Sequence, residues 1–304
     1  MIARVTPELE HPLGHDGLLV LRLTDGDARL SGVDGDLVTV RSTDGEPLDG
    51  FAIEAGERSI EIRAHANRSA DLDVRVPRGA TVILEARSAD VTVSDLTGDV
   101  RLTTASGDLT ARGVSGTLSA EAVSGDVEIT ATGTLSVVAR TVSGDLELRA
   151  AQLDSLTATT TSGDLEIAAD FVGDGPFVIE TVSGDTSLAP RGDIRIEPTT
   201  LTGDVSGRGI GRRSSSDRGP IVVGSGDGPT IAWRSTSGDL TIDHRPSRAE
   251  PPAPPAIRPS DEDATQPDDP TMAILHALER GEIDLDEASD RLAALDAGRP
   301  EERR

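Results

Sequence analysis

The sequence predicts an all-β protein, a β-solenoid with coils of 18–21 residues, followed by a small C-terminal helical hairpin. Two observations predict the solenoid. A Ser-Gly-Asp-aliphatic motif recurs at a nearly constant spacing, and apolar residues alternate with polar ones after each copy. A third observation predicts the hairpin, because apolar residues take up helical spacing after residue 270.

The motif has seven clear copies and a degenerate one that begins at Ser88. The first residues of the clear copies are Ser106, Ser124, Ser143, Ser162, Ser183, Thr202 and Ser237. From Ser88 to Thr202 the steps are 18, 18, 19, 19, 21 and 19 residues, and the last step is 35. A single strand pair cannot bury its apolar side, whereas units stacked at about 4.8 Å per rung can. One unit therefore corresponds to one coil.

The division of the chain follows from changes in composition. Alternating apolar residues make 1–86 an N-terminal β-strand region that leads into the solenoid, which we place at 87–245. Residues 208–234 break the period, so we interpret them as an insertion that loops off the stack. The remainder consists of a Pro-rich acidic linker at 246–270, the helical hairpin at 271–297 and a polar tail at 298–304.

The composition excludes several classes of partner. With a net charge of −25 and no Lys, the surface repels nucleic acid phosphates and anionic lipid, so we expect no nucleic-acid partner and no membrane insertion. The absence of Cys excludes disulfides, thiolate metal sites and a Cys nucleophile. No secretory signal or spanning segment is visible, so we expect a cytoplasmic protein, or else one that reaches the surface by a non-classical route.

The repeated Asp is the first candidate for a metal ligand. Asp126, Asp145 and Asp164 would stack in a column, but a single Gly before each Asp cannot build the carbonyl cage of Ca²⁺-binding repeats. We therefore interpret the motif as a turn, in which Gly takes a positive φ and Asp or Ser accepts backbone N–H groups. Such donors, or an outward splay into water, would relieve the repulsion within the column.

Other polar patterns also have structural interpretations. Threonines two residues before each motif copy suit a pleated strand rather than indicate a water-ordering array: Thr104, Thr141, Thr160, Thr181 and Thr200. An Arg-rich island could bind an anionic polymer or phosphate, although such residues more often pair with the chain's own carboxylates: Arg208, Arg212, Arg213 and Arg218. The histidines are too scattered for a metal site: His11, His15, His65, His244 and His276.

No arrangement of nucleophile and base is visible. Gly224-Ser225-Gly226 lacks the strand-to-helix context of a nucleophile elbow. The carboxylates of a β-helix glycosidase would converge on one cleft instead of recurring at every turn. Trp233 and three Phe offer few platforms for sugar stacking. We therefore predict no catalytic residue, no cofactor and no metal ligand, and do not expect an enzyme.

The hairpin segment is amphipathic. Gly281 separates two short helical patterns, and Asp284 with Glu287 resembles a capping box for the second. We expect its apolar side to bind a protein partner or a second copy of the chain, through Ile274, Leu275, Leu278, Leu285, Leu292 and Leu295. The long linker argues against a simple cap on the last coil, because a cap needs only a short connection.

These motifs resemble a bacterial family. The run Val76-Pro77-Arg78-Gly79, the alternation after it and the serial Ser-Gly-Asp-aliphatic units resemble the bacterial “putative adhesin” β-strand-repeat family, a domain of unknown function, over roughly 20–245. Residues 274–295 are similar to the SHOCT-like helical segment that accompanies this domain in some envelope-stress proteins. The resemblance implies a β-helix-like fold and a role in adhesion or envelope response, and it implies no catalytic residues.

Two classes of function follow. The first is a non-catalytic, adhesin-like scaffold whose solenoid presents a long interaction face, with the link to envelope or stress response that the resemblance implies. The second is an intracellular regulatory module that binds a partner through the helical tail. A carbohydrate-active β-helix enzyme is a less favoured third.

Overall fold

The computed structural model describes residues 8–44, 48–65, 69, 71–208, 211–214 and 219–244. These residues form 22 β-strands and one short 3-10 helix, Leu48–Gly50. Within this part of the chain no helix is long and apolar enough to cross a membrane. The predicted linker, hairpin and polar tail at 246–304 lie outside the described residues. The dominance of strands confirms the predicted all-β class.

The strands fall into three groups along the chain. Those before the regular repeats are β1 (Glu8–Pro12), β2 (Leu18–Asp25), β3 (Ala28–Val33), β4 (Leu37–Ser42), β5 (Phe51–Ala55), β6 (Ser59–Ala64), β7 (Leu72–Pro77), β8 (Thr81–Ser88) and β9 (Val91–Ser94). The regular repeats contain β10 (Asp99–Ser106), β11 (Leu109–Ser124), β12 (Val127–Ser143), β13 (Leu146–Ser162), β14 (Leu165–Phe171), β15 (Phe177–Ser183) and β16 (Thr186–Pro190). The last group is β17 (Ile194–Thr202), β18 (Asp204–Gly207), β19 (Gly211–Ser214), β20 (Ile221–Val223), β21 (Thr230–Ser237) and β22 (Leu240–Ile242).

The strands form one hydrogen-bonded sheet that is folded into two faces. The first face contains β6, β2, β8, β10, β15, β21, β17 and the second halves of β11, β12 and β13. The second face contains β7, β3, β9, β14, β16, β22, β18 and the first halves of the same three long strands. One coil therefore consists of a first-face strand, a Ser-Gly-Asp corner and a second-face strand.

Equivalent residues of successive coils are neighbours in parallel register. Leu109 pairs with Val127, Val127 with Leu146, and Leu146 with Leu165. All four side chains are buried, so each coil adds one aliphatic rung to a continuous core. The offsets of 18 and 19 residues confirm the predicted solenoid and its coil length.

The ten described coils are stacked in an order that differs from the chain order at both ends. From one end of the stack to the other, the coils are 59–77, 18–33, 81–94, 99–114, 116–131, 134–150, 153–171, 177–190, 230–242 and 194–207. The first coil in the chain is thus second in the stack, and the last coil in the chain is next to last.

Two expectations about the ends differ from the structure. Residues 1–86 do not merely lead into the solenoid, because 18–33 and 59–77 are complete coils. Residues 208–234 do not simply loop off the stack, because β19 and β20 pair antiparallel with β18 and β17, and β21 belongs to an inner coil. A terminal coil leaves unpaired backbone groups at its edge. At one end of the stack β19 and β20 cover these groups, and at the other end β4 and β5 cover them.

The core is aliphatic apart from four aromatic rings, of which Phe51 lies in β5 at one end of the stack and the other three lie toward the opposite end. Trp233 is fully buried opposite Ile179 of the neighbouring coil, and its Nε1–H donates to the Thr186 hydroxyl at 3.0 Å. Phe171 and Phe177 are also buried and meet edge to face, with ring centroids 5.2 Å apart. These rings pack the interior and are therefore inaccessible as sugar-stacking platforms.

Candidate functional site: the Ser-Gly-Asp corner

The aspartates of the corners are connected to one another along the stack. The Oδ1 atom of each accepts a hydrogen bond from the backbone N–H of the Asp in the next coil, at 2.8–2.9 Å in all seven steps. We call this set the aspartate ladder. In stack order it consists of Asp90, Asp108, Asp126, Asp145, Asp164, Asp185, Asp239 and Asp204.

The direction of the backbone groups explains the ladder. In the corner of Asp126, the N–H groups of Gly125 and Val127 donate to carbonyl oxygens of the next coil, at 3.2 and 2.9 Å. The N–H of Asp126 points the opposite way, toward the preceding coil, and the Asp108 carboxylate is its acceptor at 2.9 Å. Each Asp carboxylate thus accepts a hydrogen bond from a backbone N–H that no carbonyl oxygen of the sheet reaches. The same N–H group partly compensates the negative charge of the carboxylate.

Glycine is required in the corner because successive corners stack closely. A Cβ atom on Gly144 would lie 2.1 Å from the carbonyl oxygen of Gly125, and one on Gly163 would lie equally close to that of Gly144. Gly163 also has a φ of +145°, which disfavours other residues. The positive φ is predictable from the motif, whereas the close approach of the backbones is visible only in the structure.

The ladder is a line of exposed negative charge. Every member is exposed except Asp204, which is half-buried. Successive coils are about 4.8 Å apart, so the eight carboxylates extend over about 34 Å. Among the described residues, no group of three or more His, Cys, Asp or Glu side chains is arranged to hold a metal ion. The ladder is therefore an extended column and has no convergent cage.

Further carboxylates flank the ladder on the second face. Glu128, Glu147 and Glu166 occupy equivalent positions in three successive coils. Arg112 pairs with Glu128 at 3.2 Å, and Arg149 pairs with Glu147 and, at 3.0 Å, with Glu166. Two arginines thus partly compensate the three carboxylates of this second row, whereas the ladder itself has backbone donors.

On the opposite side of the corner, a column of methyl-bearing side chains precedes the serines. Its larger members are exposed, namely Val123 by 51%, Val142 by 47%, Val182 by 49% and Leu201 by 76%. We call this column the methyl ridge. In stack order it consists of Ala105, Val123, Val142, Thr161, Val182, Thr236 and Leu201. The ridge was not predicted, although the sequence carries a signal for it: five of these seven positions are apolar beside a polar Ser-Gly-Asp turn.

The other polar patterns lie elsewhere. The threonine column points into the core, since four of its members are buried and the last is half-buried: Thr104, Thr141, Thr160, Thr181 and Thr200. It therefore cannot be a surface array. Of the histidines, His11 hydrogen-bonds through Nε2 to the Gly56 carbonyl oxygen at 2.9 Å, and the described ones form no metal-ligating group. His276 and the side chains of Arg212, Arg213 and Arg218 lie outside the described residues.

Ser225 has a structural contact that its sequence context does not reveal. Its hydroxyl donates to the carboxylate of Asp193. This bond, a second one from the Ser225 backbone and the charge of His244 hold the pKa of Asp193 below its usual value. A Cβ on Gly224 would overlap the same carboxylate, so the loop wraps closely around it. Ser225 therefore holds this loop against Asp193.

Comparisons with solved structures find proteins that align over about four fifths of this chain at very low identity. A protein described as a putative adhesin from Bacteroides fragilis is 10% identical with a TM-score of 0.43, covering 80% of this chain and 98% of its own. A putative cell adhesion protein from Clostridium sporogenes is also 10% identical, with a TM-score of 0.23 and coverage of 79% and 99%. A putative lipid binding protein from Parabacteroides distasonis is 8% identical, with a TM-score of 0.33 and coverage of 80% and 97%.

Similarity at this level says nothing about binding or catalysis. None of the curated proteins matches the chain. A family model described as Toastrack DUF4097 matches residues 50–243, which is more than half of the chain and includes every corner of the aspartate ladder. The chain therefore belongs to the Toastrack DUF4097 family.

Proposed function

We propose that the protein is a non-catalytic, adhesin-like scaffold that binds a partner along its solenoid. The repetition of the corner supports this proposal most directly. Seven coils present the same arrangement of a methyl-bearing side chain, then Ser or Thr, then Gly and Asp, at a constant rung along one side of the stack. Such a surface suits an extended partner, whereas a catalytic site gathers different side chains around one point.

The adhesin-like character and the link to envelope or stress response come from the family resemblance of the repeats and of the SHOCT-like segment at 274–295. We propose that this segment is a second interaction module, which binds a protein or another copy of the chain through its apolar residues. In the alternative function, the protein is an intracellular regulator, the tail makes the decisive contact and the solenoid is only a body that carries it.

Site-specific photo-cross-linking in the native host separates these functions. A photoreactive amino acid at Ser143 samples the corner, and one at Thr157 on the first face is the matched control. The scaffold function predicts discrete cross-linked partners from Ser143 both in the full chain and after deletion of 272–304. Loss of every cross-link on that deletion would favour the tail-based regulator, and an absence of cross-links from Ser143 in the full chain would contradict the scaffold function.

Fractionation of the same cells tests the location of the complex. We propose a cytoplasmic protein, with surface association by a non-classical route as the alternative. Recovery of the cross-linked species in the soluble fraction supports the first. Recovery of the cross-linked species in the envelope fraction supports surface association and therefore the role in adhesion.

A further inference from the structure

We propose that the methyl ridge is a docking surface for a basic amphipathic helix of a partner protein. The helix places its apolar side chains on the ridge and its Arg or Lys side chains over the aspartate ladder. This inference rests on the proposed function and names the chemistry of the partner.

The apolar part of the surface is continuous. Single exposed apolar side chains are normal on a soluble protein, but the ridge residues lie at equivalent positions of successive coils. Its seven members extend over about 29 Å at a rung of about 4.8 Å. Val123, Val142 and Val182 remain about half exposed. A partner that covers them gains apolar burial at every coil.

The charges beside the ridge select a cationic partner. On the first-face side, Glu121 pairs with Arg140 at 2.8 Å and Glu180 with Arg234 at 2.6 Å, so this flank is largely neutral. On the other side lies the ladder, three residues further along the chain in each coil. Among the described residues, no arginine pairs with the carboxylates of the seven ladder members from Asp90 to Asp239. A second copy of this acidic chain would be repelled there, whereas a basic segment is attracted.

The spacing favours a helix over an extended strand. Side chains on one side of an α-helix recur about every 5.4 Å, close to the rung of about 4.8 Å. Side chains on one side of a strand recur about every 6.7 Å and lose register after two or three coils. A helix of about 18 residues is about 27 Å long and covers most of the ridge.

The test uses the full chain and a synthetic peptide of about 18 residues with one leucine stripe flanked by arginines. A peptide of the same composition in scrambled order controls for charge alone. Titration by fluorescence anisotropy at about 0.15 M salt measures both affinities. We expect the amphipathic peptide to bind at least about tenfold more tightly than the scrambled one, because only its leucines can reach the ridge together. Equal binding would overturn the proposal.

Two double variants locate the contact. In the ridge variant, Val142→Thr with Val182→Thr, the new residues are those found naturally at Thr161 and Thr236, so the fold is retained. We expect a loss of affinity of about tenfold. The control is Ile53→Thr with Val222→Thr, which changes exposed apolar residues away from the ridge. We expect it to bind within about twofold of the wild type.

In the ladder variant, Asp126→Asn with Asp145→Asn, the side-chain oxygens still accept the backbone N–H groups of residue 145 and Asp164. We expect a loss of about fivefold and a weaker dependence on salt. The control, Glu54→Gln with Glu57→Gln, removes the same charge at the other end of the stack. Parallel losses in variant and control would mean that only net charge matters, which overturns the proposal. If the peptide and variant tests give these contrary results while photo-cross-linking from Ser143 still captures a partner, the scaffold function stands and only the basic helix is excluded as its partner.

Discussion

Replacement of Gly144 by Ala puts a methyl group into the backbone of the neighbouring coil. The new Cβ would lie 2.1 Å from the carbonyl oxygen of Gly125, whereas such atoms are normally about 3.5 Å apart, so the two coils must separate by about 1 Å. That movement lengthens three hydrogen bonds between the coils: Gly125 N–H to Ser143 O at 3.2 Å, Val127 N–H to Asp145 O at 2.9 Å and Asp145 N–H to Asp126 Oδ1 at 2.8 Å. At about 1 kcal/mol each, Gly144→Ala should cost about 3 kcal/mol.

Gly35 provides a matched control. Its φ of +130° also disfavours Ala, but no atom lies within 4 Å of a Cβ built there. Gly35→Ala should therefore cost only about 1 kcal/mol, from backbone conformation alone. Urea unfolding measures both variants, with fluorescence of the single, buried Trp233 as the signal. Equal costs for the two substitutions would refute the argument that close stacking of the corners is what requires glycine.

Three further predictions concern the core and the ladder. Leu146→Ala removes a fully buried side chain between Val127 and Leu165 and should lower the free energy of unfolding by about 2–5 kcal/mol in the same urea assay. Asp145→Ala leaves the Asp164 N–H without its acceptor and should cost about 1 kcal/mol, whereas Asp145→Asn keeps an acceptor and should cost less; equal losses would mean that charge and not the hydrogen bond matters. Ca²⁺ should raise the Tm no more than NaCl does at matched ionic strength, and EDTA should leave the Tm unchanged, because the aspartate ladder forms no cage for a metal ion. A Ca²⁺-specific increase of the Tm in calorimetry would show that the protein binds the metal.

The sequence predicts the coils well because each one is determined locally. The step between Ser-Gly-Asp copies sets the number of residues per coil, and the alternation after each Asp identifies the inward residues, as at Leu146 and Leu148. The inward direction of the threonine column follows from the same alternation, because Val137, Ala139 and Thr141 are all buried at alternate positions of β12. Val142 and Ser143 both point outward, so the corner interrupts the alternation only after Thr141.

The coil order at the ends could not be predicted from the motif. The gap of 35 residues between Thr202 and Ser237 indicates an insertion but not which coil the last strand joins. In the structure β21 lies between β15 and β17, so a contact 54 residues apart in sequence, Ser183 with Ser237, replaces the nearest-neighbour pairing. The position that β21 takes in the stack depends on how well each possible neighbouring coil packs against it. The Ser-Gly-Asp motif does not predict this position, because the neighbouring coils carry the same motif.

The most direct test of the stacked corners uses disulfide trapping, since the chain has no Cys. Ser183 and Ser237 pair on adjacent strands, with Cα atoms about 4.8 Å apart, within the range of a disulfide. Ser183 and Thr202 are two coils apart, at about 9.6 Å, beyond it. Mild oxidation of the folded protein should therefore cross-link Ser183→Cys with Ser237→Cys and leave Ser183→Cys with Thr202→Cys reduced, as measured by mass spectrometry of tryptic peptides. Cross-linking of the second pair and not the first would show that the coils follow the chain order, and the corner stack described above would be incorrect.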